Sequence, residues 1–314
     1  MRKVVLIGGG GFIGQHVARH LLKDGLKVDL LCRNSHSESD AVIRNLDVHY
    51  GDYADCELLR KVLSGAHAVV HLAHDSLQLN QACDMADEYQ RNIAPAIQLM
   101  EECIAAGVAR FIFVSSGGTV YGNPNARNPL REDAAAQPIS LYGTSKLCIE
   151  HMVHLYCRQR GLPGIVVRPA NAYGPGQIPF KGQGLVATAF ASALQGKSIT
   201  IFGDGGAVRD YVHVDDIALA ITGLLEAGQI GEVYNVGSGV GASVLQLVEE
   251  HVLPIVRSAG YNLQLERRDA RAIDVAYNVL DVEKLSRCIH FSPITLAAGL
   301  PGSWDWVQNH LSRN

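Results

Sequence analysis

With 314 residues, 27 basic against 31 acidic side chains and a net charge of −4, the chain has room for one large α/β unit or two closely joined lobes. The balanced charge excludes the basic excess of a nucleic-acid or anionic-membrane binder. The longest apolar runs, such as Leu185 to Leu194, fall well short of the roughly 18 residues that a membrane span needs.

Arg2-Lys3 precede an apolar run that glycines cut too short for a secretory signal. The cysteines (Cys32, Cys56, Cys83, Cys103, Cys148, Cys157 and Cys288) are scattered, odd in number and without a Cys-x-x-Cys. They read as free thiols of a cytoplasmic protein, not as a disulfide framework or a metal site. Val4-Val5-Leu6-Ile7 has the continuous apolarity of a strand buried on both faces. Gly8, Gly11 and Gly14 follow in a Gly-x-x-Gly-x-x-Gly spacing; Gly9, Gly11 and Gly14 also fit Gly-x-Gly-x-x-Gly. Phe12, Val17, Leu21 and Leu22 then mark a helix that stops at Asp24-Gly25. A strand, a glycine turn and a helix N-terminus make an anion site suited to the pyrophosphate of a dinucleotide. Close packing of helix on strand is the alternative use of such glycines.

Val28 to Cys32 reads as the second strand. At its end, where a dinucleotide fold offers an acid to the adenosine ribose, stand Cys32 and Arg33. An arginine there either binds a 2′-phosphate or is a solvated strand-end charge, which leaves NAD against NADP open. Ser35 to Asp40 is a polar loop, and Val48-His49-Tyr50 a short strand ending at Gly51-Asp52, where Asp52 can accept from an adenine amino group. Cys56 to Leu63 reads as a helix and Ala68 to Ala73 as the fourth strand, with His71 a core histidine. Asp84 to Ala106 is one long helix stopped by Gly107, and Arg110 to Ser115 the fifth strand. This alternation predicts a doubly wound parallel sheet, with ligands at the carboxyl ends of its strands.

Ser115-Ser116-Gly117-Gly118-Thr119 therefore falls at the mouth of a site. Tyr142 and Lys146 open the next helix, which runs to about Arg160, and their four-residue spacing puts them on one face. A free tyrosine has a pKa near 10, too high for a base at neutral pH; a nearby ammonium and a nicotinamide cation would stabilise the phenolate and lower it.

From Val4 to about Leu285 the chain resembles the extended short-chain dehydrogenases/reductases of the nucleotide-sugar epimerase and dehydratase group. The resemblance rests on Gly8 to Gly14, Asp52, His71-Leu72-Ala73, Asn92, Ser115-Ser116 with Val120-Tyr121-Gly122, and Tyr142 with Lys146. It continues through Arg168 to Pro175, Ile201 to Gly205, Arg209 to Asp216, and Tyr234-Asn235-Val236-Gly237. It implies a Rossmann domain over residues 1–170, a nucleotide-sugar lobe over 171–205 and 240–314, and a segment 206–239 that partly returns to the first. It implies tightly bound NAD or NADP held by Gly8, Gly11, Phe12, Ile13, Gly14, Arg33, Asp52 and Tyr53 at one end. Leu72, Ala73, Asn92, Ser115, Tyr142, Lys146 and Pro169 serve the rest of the cofactor. Asn171, Ile201, Phe202, Arg209, Arg271 and Asn278 are the implied substrate contacts, with Asn171 and Arg209 on the diphosphate and Ile201 and Phe202 beside the base. A homodimer through the Asp84–Ala106 and Tyr142 helices is implied too, with Ile93, Ile97, Met152 and Leu155 as its apolar surface.

The implied reaction is 4-epimerisation of a UDP-hexose through a 4-keto intermediate, with Tyr142 as base and Lys146 as its support. Family 4,6-dehydratases carry an Asp-Glu pair where this chain has Gly118-Thr119; dehydratase, decarboxylase, reductase and a catalytically silent cofactor-binding protein are the alternatives. Gly117 stands where the family has a sugar-facing hydroxyl, so Ser116, Thr119 or water supplies that contact, with Thr119 expected to matter more. Aligning Asp274 to Asp281 on the family pattern places Asn278 at the gate for the sugar 2-substituent, open to an N-acetyl group; a one-residue slip would place Tyr277 there instead.

Overall fold

The computed structural model describes residues 2–33, 46–75, 84–182, 184–270 and 275–313. Strands β1 (Lys3–Ile7), β2 (Lys27–Cys32), β3 (Asp47–Tyr50), β4 (Ala68–His71), β5 (Arg110–Val114), β6 (Gly164–Pro169) and β10 (Val233–Val236) form one parallel sheet in the order β10-β6-β5-β4-β1-β2-β3. Alternate residues feed opposite cores. Val4 and Leu6 pack on one face and Val5 and Ile7 on the other, each at most 2% exposed. Two covered faces are why these strands are continuously apolar in sequence. Strand order reverses between β1 and β4, which opens a crevice at their carboxyl ends. There β4 stops at His71, two residues before the apolar run ends, because the Leu72 and Ala73 N–H groups both turn to the Ile7 carbonyl, at 2.9 and 3.0 Å.

Helices α1 (Phe12–Lys23) and α2 (Cys56–Leu63) match the expected periodicity. The long helix does not run evenly. A short α3 (Met85–Glu88) widens into a π turn over Tyr89–Ile93 before α4 (Ala94–Ala105). Pro95 is the cause: it has no N–H to donate and crowds the preceding turn, so the chain widens just before it. The same happens at Leu247–Val252, immediately before Pro254. A single turn, α5 (Gly117–Val120), follows β5, and α6 (Leu141–Arg160) starts at a Ser140 hydroxyl cap on the Gly143 N–H, 3.1 Å, and ends at left-handed Gly161.

Beyond β6, β7 (Asn171–Tyr173) and β9 (Val208–His213) pair in a small sheet with β11 (Gly241–Ser243) and β13 (Tyr277–Asn278). Strands β8 (Ser198–Phe202) and β12 (Gln264–Arg268) make a separate parallel pair. They cover a third core with α7 (Leu185–Leu194) and the C-terminal helix Leu296–Arg313. Helix α8 (Val214–Ala227) packs back on α1. Among the described residues no helix is long and apolar enough to cross a membrane, and no three His, Cys, Asp or Glu side chains are grouped to hold a metal ion.

Candidate active site

The crevice between β1 and β4 is shaped by glycine. Gly8 has φ +81°, and a Cβ on it would lie 2.7 Å from the Ala73 nitrogen; one on Gly14 would lie 2.5 Å from the Gly9 carbonyl oxygen. Helix α1 begins at Gly11 with no side-chain cap, so its first residues, Phe12 and Ile13, present backbone N–H groups and the positive end of the dipole to the crevice. A cavity of about 420 Å³ opens there, lined by Gly8, Gly11, Arg33, Asp52, Tyr53, Leu72, Ala73, His74 and Asp75. The Tyr53 hydroxyl is buried in its wall without a hydrogen-bond partner among the described residues. An uncapped helix N-terminus, a wall that no side chain can fill and an orphaned hydroxyl fit a dinucleotide. Gly8→Ala adds a left-handed strain of about 1 kcal/mol to the clash at Ala73. It is expected to strip bound dinucleotide from the purified protein, read by absorbance of the extract after denaturation; full retention would mean the turn does not touch the ligand.

At the mouth, Tyr142 on the first turn of α6 meets the Ser116 side chain, and Lys146 lies one turn on. The Lys146 ammonium is 2% exposed, donates to the Val114 carbonyl at 2.8 Å and sits 5.8 Å from the Tyr142 ring centre. The expected lowering needs the ammonium and a nicotinamide cation together; the protein groups around Tyr142 do not supply it. Burial pushes Tyr142 up to about 12, with the Ser116 hydrogen bond opposing it. Burial likewise pulls Lys146 down to about 7, against Glu150 and Glu88. Desolvation outweighs the single-turn spacing in both.

Other expectations at this turn are corrected. Thr119 is 4% exposed and its hydroxyl is turned to the Ser116 carbonyl, 3.4 Å, so Ser116 and not Thr119 stands beside Tyr142. Ser115 is buried and donates to Glu150, away from the crevice. Pro169 lies within β6 beneath Gly117, and a Cβ at Gly117 would be 2.6 Å from Leu280 and 3.2 Å from the Pro169 carbonyl oxygen. Leu280 thus fills the space a third hydroxyl would need.

A buried polar cluster, unmarked by any sequence pattern, borders Tyr142. The His74 ring stands at 85° to the Tyr142 ring with centres 4.8 Å apart. His74 Nε2 is 3.0 Å from Glu88 Oε1, which also accepts from Ser145 Oγ at 2.6 Å and Asn92 Nδ2 at 3.1 Å. Burial and Lys146 pull His74 down to about 4, so its ring is neutral. Asn92, expected on the cofactor, is 1% exposed and accepts from the Asp75 N–H at 2.7 Å, which shapes the loop after β4. The one legible trace is Glu88 four residues before Asn92, a spacing that puts the two on one helix face. His71 is a core residue, wedged against Tyr53 and Phe113 at 5.3 and 5.4 Å.

The small sheet gathers the expected substrate residues from distant segments. Asn171 pairs with Tyr211, and Asn278 with Arg209. Gly118 faces the Asn171 amide, which a Cβ there would meet at 3.6 Å. Asn278 is fully buried, with Nδ2 donating to the Gly117 carbonyl at 2.9 Å and Oδ1 without a hydrogen-bond partner among the described residues. Ile201 is 1% exposed in the third core, so of the pair only Phe202 keeps a half-exposed side chain. Arg271 lies outside the described residues.

Residues 4–237 match the NAD dependent epimerase/dehydratase family. The chain belongs to that family. Among its members, UDP-glucose 4-epimerase of Mycolicibacterium smegmatis is 30% identical, covering 98% of this chain and 99% of that protein. dTDP-glucose 4,6-dehydratase of Neisseria meningitidis is 31% identical, covering 98% and 93%. The crystal structure of UDP-glucose 4-epimerase from Thermotoga maritima with UDP-glucose superposes with a TM-score of 0.90 at 32% identity, covering 98% and 99%. The epimerase/dehydratase family thus accounts for the seven-stranded sheet, the glycine crevice and the Tyr142–Lys146 pair together.

Proposed function

We propose that this chain is a nucleotide-diphosphate-sugar 4-epimerase acting on a UDP-hexose. The observation that carries the reading is the turn facing Tyr142: it offers the Ser116 hydroxyl and two glycines, with no carboxylate for the C5 proton and C6 hydroxyl that a dehydratase must move. A nicotinamide dinucleotide held by the Gly8–Gly14 turn and the N-terminus of α1 would supply a reversible hydride acceptor for the sugar. Tyr142 takes the proton from the sugar 4-hydroxyl and gives it back, with the Ser116 hydroxyl bonded to the same oxygen. Lys146, one turn away, holds a ribose hydroxyl and sets the charge beside the phenol. Asn171 and Arg209 grip the diphosphate and Phe202 borders the base, while the two-glycine turn leaves the sugar loosely held. A loose sugar is what inversion requires, because the ketone must present its other face.

Proton NMR of a UDP-sugar panel incubated with the protein tests this. A C4 epimer is expected; a 4-keto-6-deoxy sugar would make the chain a dehydratase, and no product from any sugar would make it a silent binder. Ser116→Ala is expected to lower turnover by about tenfold or more and Thr119→Val by less than about threefold, the scale of a lost hydrogen bond at a reacting group against one to a backbone carbonyl. The reverse order, in steady-state rates, would return the role to Thr119.

We also propose pairing of two copies through α4 and α6. Ile93 faces the core and Ile97 and Met152 pack against it, which leaves half-buried Leu155 on α6, with Met85 and Tyr89, 40% and 49% exposed, on the turns before α4.

A further inference from the structure

Arg33 ends β2, and Asp52 follows β3, so together they mark the part of the cavity where a doubly wound fold receives the adenosine ribose. In that position the chain lacks the usual acid and shows an arginine, which by itself suggests a 2′-phosphate. The structure gives Arg33 a different partner. Its Nη2 lies 2.6 Å from Asp75 Oδ1, in the loop after β4, and Asp52 acts on the same guanidinium through space. Arg33 in turn holds the Asp75 carboxyl below its usual range, so the carboxylate is ionised. Arg91 reaches the other Asp75 oxygen at 3.6 Å, but its Nε is taken by Asp87 at 2.7 Å. The Asp75 backbone is itself held, because its N–H donates to the buried Asn92 side chain at 2.7 Å.

We infer that Asp75 determines cofactor choice: from the end of β4 it restores the carboxylate missing at the end of β2, and by clamping Arg33 it selects NAD over NADP. A ribose diol brings hydroxyl donors that a carboxylate accepts. A 2′-phosphate brings two negative charges to two carboxylates and finds the guanidinium already engaged. The inference rests on the reading of the crevice as a dinucleotide site.

Calorimetric titration of the full chain, first freed of any dinucleotide it carries through purification, with NAD and with NADP tests it. The wild type is expected to bind NAD at least about tenfold more tightly than NADP. Asp75→Asn frees Arg33 and removes one repelling charge, and is expected to shift the ratio of the two affinities toward NADP by about tenfold, the scale of one charge-assisted hydrogen bond. Asp75→Ala, which only trims a partly exposed loop side chain, carries the same expectation should the asparagine variant fold poorly. Adding Arg33→Ala to either variant is expected to abolish the gain. A wild type that binds both dinucleotides equally, an Asp75 variant whose ratio moves less than about twofold, or a gain that survives loss of Arg33 would each overturn the assignment while leaving the dinucleotide site intact. A wild type that binds neither would remove the site reading itself, and this inference with it.

Discussion

Tyr142→Phe is expected to lower turnover by about 10³-fold, within the range that one positioned general base contributes, while affinity for the UDP-sugar changes less than about threefold. The ring stays in place against His74, 4.8 Å away, so packing at the mouth is preserved and only the hydroxyl beside Ser116 is lost. Steady-state rates and calorimetry with the same sugar separate the two effects. Activity retained within tenfold would place the base elsewhere; equal losses in rate and affinity would mean that the hydroxyl binds substrate and does not move its proton.

Glu150→Ala is expected to destabilise the fold by roughly 3–5 kcal/mol, the cost of leaving a buried partner charge uncompensated. Glu150 is 1% exposed and receives both Nε and Nη2 of Arg168, at 3.0 and 2.6 Å, together with the Ser115 hydroxyl. Arg168 would keep the Tyr121 hydroxyl, 2.9 Å, and the Glu132 carbonyl, 3.2 Å, neither of which carries a full negative charge. The variant also removes a carboxylate that favours the charged form of Lys146, so its ammonium would deprotonate more readily. Urea denaturation followed by fluorescence measures the loss, and a shift below about 1 kcal/mol would show that Arg168 finds water or another partner.

The large sheet was legible because its information is local: continuous apolar runs, glycines at turns and periodic helices are written in neighbouring residues. Tyr142, Lys146 and the glycine crevice were legible for the same reason. What the chain order conceals is which polar side chains face one another across elements. Thr119 and Ser116 look alike in sequence, but one turn of helix directs the first inward and leaves the second beside the phenol. Asn278 bonds the Gly117 carbonyl, 161 positions away along the chain, a contact that no local pattern shows. The His74–Glu88 contact joins the end of β4 to α3, two segments the sequence gives no reason to pair. The four-residue spacing sets Glu88 beside Asn92, but nothing in the chain order points to His74 or Ser145 as their neighbours. Arg33 shows the same limit in charge: its partner is in another loop.

The path of the backbone between the sheets has a consequence for how the molecule holds together. The chain leaves the seven-stranded sheet after β6 for β7 and β9, returns to it as β10, then departs again for β11 and β13. Neither part is therefore a continuous segment that excision could release. Cutting after Val236 would leave β9 without both of its later neighbours, while cutting after Pro169 would remove the edge strand that covers β6. Interleaving of this kind couples the two halves: β13, near the end of the chain, reaches back to the turn beside Tyr142 through the Asn278 amide on the Gly117 carbonyl.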